Sequence, residues 1–119
     1  MPHVVLNGDV QFTAVFRSLE PFIIKHGNTI LKTSKKYIDS DGKSCLVEAL
    51  TIDQHSQTSF LALIGTRDDG LVVRIYPGSN VEKTEGVKRI LVEIAKQLLN
   101  NFSNLKLGKT NLQEFIGTQ

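Results

Sequence analysis

The chain has 119 residues, 40% apolar and 22% charged, with one cysteine, Cys45, and a net charge of +2 from 14 Lys and Arg against 12 Asp and Glu. That length suits one domain with a core that needs no disulfide or structural metal, and the composition is that of an ordinary globular protein, neither disordered nor membrane-spanning. A lone cysteine excludes an intramolecular disulfide, and so small a charge leaves no electrostatic footprint for nucleic acid.

At the start, Met1-Pro2-His3-Val4 has no basic segment leading into a long apolar stretch, so no signal peptide is read and a cytoplasmic location is expected. Residues 3–6 read as a short strand, Asn7-Gly8 as a turn and Asp9 as a helix N-cap. Phe12, Val15, Phe16, Leu19, Phe22 and Ile23 then fall on one stripe at helical spacing. Pro21 interrupts that stripe, because its ring conflicts with the carbonyl of Arg17. The expectation is a helix kinked near Glu20, with a second short helix from the proline, His26 in its last turn and Gly27 as its C-terminal cap.

Three turn signals follow, at Asp41-Gly42, residues 53–59 and Asp69-Gly70, and they divide the β-forming middle into strands over 30–38, 43–52, 59–65 and 71–76. The first, with Lys32, Ser34, Lys35 and Lys36, suits a sheet edge, where lysines discourage pairing with other chains. A two-residue turn at Asp69-Gly70 sets Ile64 against Ile75. Phe60, Ala62, Ile64, Leu71, Val73 and Ile75 then share one face, and Leu61, Leu63, Gly65, Val72, Arg74 and Tyr76 the other. A turn at His55-Ser56 sets Leu50 against Leu61 and Glu48 against Leu63. Both faces are apolar, so the second needs a helix, a partner subunit or a ligand to cover it.

The next helix is capped by Thr84 or by Ser79, which has capping-box spacing to Glu82. Its stripe is Val87, Ile90, Leu91, Ile94, Ala95, Leu98 and Phe102, and Val92 and Leu99 widen the apolar arc until two packing partners are implied. Residues 103–119 read as a tail, with a short helix over 111–116 ending at Gly117. The fold expected is thus a single α+β domain over 1–119. It is a four-stranded antiparallel meander, five-stranded if residues 3–6 join, with a kinked N-terminal helix and a long C-terminal helix packed on the sheet.

No nucleophile elbow, phosphate loop, dinucleotide fingerprint or zinc spacing occurs, and the three histidines lie in separate segments, so no catalytic set, metal site or cofactor is read. Cys45 sits among apolar neighbours as a small hydrophobe. Ser79, Asn80 and Lys83 precede a helix and form a candidate anion site, with plain helix capping as the competing explanation. Glu48 and Arg74 are charges inside central strands, on one face and roughly 10 Å apart by strand spacing. They either satisfy each other, or each waits for a partner subunit or for a ligand that Tyr76 would help to bind. Leu61, Leu63, Val72, Val92 and Leu99 are the candidate interface. The sequence therefore favours a homodimeric binding or adaptor module rather than an enzyme. The alternative is a small-ligand binder or enzyme whose pocket lies between helix and sheet and uses Arg74 and Glu48. Nucleic acid is disfavoured, because the lysine-rich strand offers only Tyr37 as an aromatic platform.

Overall fold

The element order is β1 (His3–Asn7), α1 (Phe12–Ser18), β2 (Ile23–His26), β3 (Thr29–Ile38), β4 (Ser44–Ile52), β5 (Gln57–Arg67), β6 (Gly70–Ile75), α2 (Glu85–Asn101), β7 (Lys106–Thr110) and α3 (Gln113–Ile116). The structure is a computed structural model and describes residues 1–78 and 80–116. Its strands form one antiparallel half-barrel in the order β2-β3-β4-β5-β6-β1-β7. This corrects the expected four- or five-stranded meander with a long C-terminal helix: among the described residues the sheet has seven strands, and the tail expected after α2 holds a further strand, β7, before its short helix.

At the N-terminal end the difference has a local cause. Pro21 ends the first helical segment outright instead of kinking it, and α1 stops at Ser18, with Gln11 rather than Asp9 at its N-cap. Residues 22–26 then alternate rather than spiral. Phe22 and Ile24 pack against the core, Ile23 and Lys25 point outward, and Gly27, at φ +62°, turns His26 back onto Thr29. Two residues at the turn suffice because glycine carries no Cβ to oppose a positive φ. The lysine-rich β3 is therefore not the edge strand; β2 lies outside it. At the other side, β1 joins β6 to β7, which forms from a stretch read as tail.

The two central hairpins are each displaced by two residues from the expected registers. Glu48 faces Leu61, not Leu63, and Ala62, not Ile64, faces Ile75. A shift of two preserves which face each side chain occupies, so the sorting into faces stands. Phe60, Ala62, Ile64, Leu71, Val73 and Ile75 are all buried, and they meet Val87, Ile90, Leu91, Ile94 and Leu98 of α2 in one cluster. Gly86 lets α2 approach β4 closely, because a Cβ there would run into the side chain of Thr51. A bulge between Thr33 and Lys36 turns Lys36 inward, opposite Val47. Its Nζ donates to the carbonyls of Phe16, Arg17 and Leu19 at 2.7, 3.3 and 2.9 Å, closing the C-terminal end of α1. Both long helical segments thus lie on the inner face, and the outer face receives neither.

Candidate functional site

Strand pairing lays the outer face out in rows. Leu46, Leu63, Arg74 and His3 form one row, Glu48, Leu61 and Tyr76 the next, and Lys32, Leu50 and Ser59 a third. Leu46, Leu50, Leu61, Leu63 and Val72 are half-buried by their neighbours alone, and Tyr76 is 43% exposed. Along β4 the burial alternates without a break, inward residues sealed and outward ones half-open, as expected for a sheet covered on one side.

Glu48 and Arg74 do share this face, one row apart, but they do not pair. Glu48 accepts from Ser34 Oγ at 3.2 Å and from Tyr37 Oη at 2.7 Å: Ser34 keeps the outward parity of Lys32, and the bulge in β3 turns Tyr37 to the same side. The hydrogen bond to the Glu48 carboxylate holds the Tyr37 phenol above its ordinary pKa, with lesser contributions from desolvation and from the carboxylate charge. Arg74 is flanked by Leu63 and His3, and its Nε is buried with no hydrogen-bond partner among the described residues. The mutually satisfied pair is therefore replaced by a satisfied glutamate and an arginine with an idle donor. Neither side chain lines a pocket between helix and sheet, since both lie on the side away from α2. Glu48 instead borders an open groove of about 400 Å³ with Lys32, Ser34, Leu50, Ser59 and Leu61.

The remaining candidates separate. Leu61, Leu63 and Val72 belong to the outer face, but Val92 is only 1% exposed and Leu99 packs against the core, so the helix margin is closed by this chain itself. Contacts of α2 with β1, α1 and α3, with Leu105 and Leu112 buried in the same cluster, account for that closure. Ser79 lies outside the described residues. Asn80 and Lys83 are exposed, and Thr84 Oγ1 accepts from the Val87 amide at 3.2 Å, so the cap already occupies a first-turn donor that an anion would need. Asp53, two residues from His55, accepts the amides of His55 and Ser56, which lower its pKa, and so serves as a turn residue. Burial pushes the Cys45 thiol up to about 12, against a smaller opposing pull from Lys36. Among the described residues no three His, Cys, Asp or Glu side chains are placed to hold a metal, and no helix is long and apolar enough to cross a membrane.

Sequence reasoning missed Ile23, Lys36 and Tyr37. The Gly27-Asn28 pair between Ile-rich segments was the signal for the β2–β3 hairpin. Nothing local announced the bulge that aims Lys36 and Tyr37. No family model, curated protein or solved structure matches this chain.

Proposed function

We propose that the chain is a cytoplasmic binding module that works as a homodimer, two copies packing outer sheet face against outer sheet face. One observation carries this reading: half-buried Leu46, Leu50, Leu61, Leu63 and Val72 share the outer face with an Arg74 whose Nε is buried without a partner among the described residues. Apolar side chains gathered on one uncovered sheet face mark a protein contact surface more often than singly scattered ones do. A two-fold axis through it buries the same surface twice and brings each contact in reciprocal pairs, so the partner subunit's Glu48 can pair with the outer end of the Arg74 guanidinium.

Sedimentation equilibrium at micromolar concentration tests the reading. The expected mass is twice the 13.2 kDa of one chain, falling to one chain in Leu63→Glu with an unchanged circular dichroism spectrum. A single-chain mass for the unaltered protein sinks the dimer. It would leave the groove between Lys32 and Glu48, as a small-ligand site, the stronger reading.

A further inference from the structure

At the rim of the half-barrel, β2 is an edge strand, so among the described residues one side of its backbone has no neighbouring strand. The carbonyl of Phe22 accepts from the Thr33 amide at 3.0 Å, which fixes Phe22 as a residue whose backbone groups point toward β3. In an antiparallel pair that role alternates, so Ile24 and His26 also point toward β3, and the N–H and C=O groups of Ile23 and Lys25 point away from it. Beside this open edge lies a groove of about 600 Å³ lined by Pro21, Phe22, Ile23, Lys32, Thr33 and Ser34, and Ile23 is 71% exposed. Lys32 lines it, Lys25 follows two residues after Ile23 on β2 and Lys35 is next to Ser34 on β3, and all three lysines are exposed. The ion pairs among the described residues, Arg67–Asp69, Arg89–Glu85 and Lys96–Glu93, involve none of the three.

We infer that this edge receives an extended peptide carrying acidic and apolar residues, which adds to β2 as a further strand. The main chain of Ile23 and Lys25 supplies the ladder, the groove takes an apolar side chain, and the lysines select carboxylates. Charge also decides against a second copy of this chain. Pairing β2 with β2 would bring the same lysines together, and pairing it with the opposite edge, β7, would set them against Lys106 and Lys109. The inference does not rest on the proposed dimer, whose contacts lie over β4, β5 and β6.

The test is a titration of the ¹⁵N-labelled chain with a capped peptide of alternating glutamate and valine, and with the same peptide carrying lysine for glutamate. The expected result is a saturable shift of the Ile23 and Lys25 amides, with binding weakened about tenfold in the Lys25→Glu/Lys32→Glu variant and about unchanged in Lys106→Glu. Ile23→Pro removes an outward N–H that the β2–β3 hairpin does not use, and it should abolish the shifts while the rest of the spectrum is retained. Four outcomes overturn the inference. They are no shift up to about 1 mM peptide, equal binding of the lysine peptide, shifts centred on β7, or concentration-dependent shifts at Ile23 and Lys25 with no peptide added, which would make a second copy the occupant.

Discussion

The two faces of β4, β5 and β6 are built from similar side chains and meet opposite fates. On the inner face Val47, Ala62, Ile64 and Val73 are sealed against α2, whereas on the outer face Leu46, Leu61, Leu63 and Val72 stay half-exposed beside two charged residues. Apolar composition does not distinguish them. What does is the supply of cover: α1 and α2 both contribute to the one inner core, and the β7 and α3 segments close its margin. A strand's hydrophobicity shows that a face wants burial, and the connections around the sheet decide whether the same chain provides it.

The largest expected effect tests that contrast directly. Leu98→Ala removes a fully buried side chain from the inner cluster and should cost about 2–5 kcal/mol in chemical denaturation. Leu63→Ala, its outer-face counterpart, should cost under about 1 kcal/mol when measured on the dissociated chain. Comparable losses at the two positions would mean that the outer face is packed within a single chain after all.

A smaller effect is expected at Lys36, the one lysine of its strand that crosses to the inner side. Lys36→Met keeps the aliphatic stem but leaves the carbonyls of Phe16, Arg17 and Leu19 without their donor, and should lower stability by about 1–3 kcal/mol. Hydrogen exchange should quicken first in α1. Unchanged exchange there would reduce Lys36 to an ordinary surface residue.

The smallest effect concerns the outer face's own hydrogen bonds. Because Glu48 raises the pKa of Tyr37, the folded state favours the neutral phenol. The stabilisation is fully present below the unfolded-state value near 10 and is lost as pH rises through the folded-state value. Ultraviolet titration should show Tyr37 ionising above 10, and Glu48→Gln should bring it back toward 10. An unmoved titration in the variant would show that the carboxylate points elsewhere, as it would if Glu48 turned toward Arg74.

Much of the site was legible and much of the fold was not. The period of two along 59–76 separated inner from outer residues even though both hairpin registers were off by two, because such a slip leaves parity intact. The two errors also cancelled, so Glu48 still lies in the row of Tyr76 and one row from Arg74. At 22–26, by contrast, Phe22 and Ile23 continued the stripe of α1 at helical spacing, and the competing signal was a two-residue turn. Val92 and Leu99 announced a second packing partner, but nothing in their own helix decides between a second subunit and the chain's own C-terminal segment, whose Leu105 and Leu112 join the same cluster.

By itself, then, the sequence determined the parities, the buried stripe of α2, and the presence of Glu48 and Arg74 among the outward leucines and valine of the central strands. These follow from local spacing, which is a property of neighbouring residues. Only the tertiary structure decided that β1 bridges β6 and β7, that β2 forms the rim, and that Glu48 turns to Tyr37 while Arg74 keeps an idle donor. Strand order and bulge position depend on contacts between residues far apart in the chain, in the case of Val4 with Thr110 more than a hundred positions, and no window along the chain contains both partners.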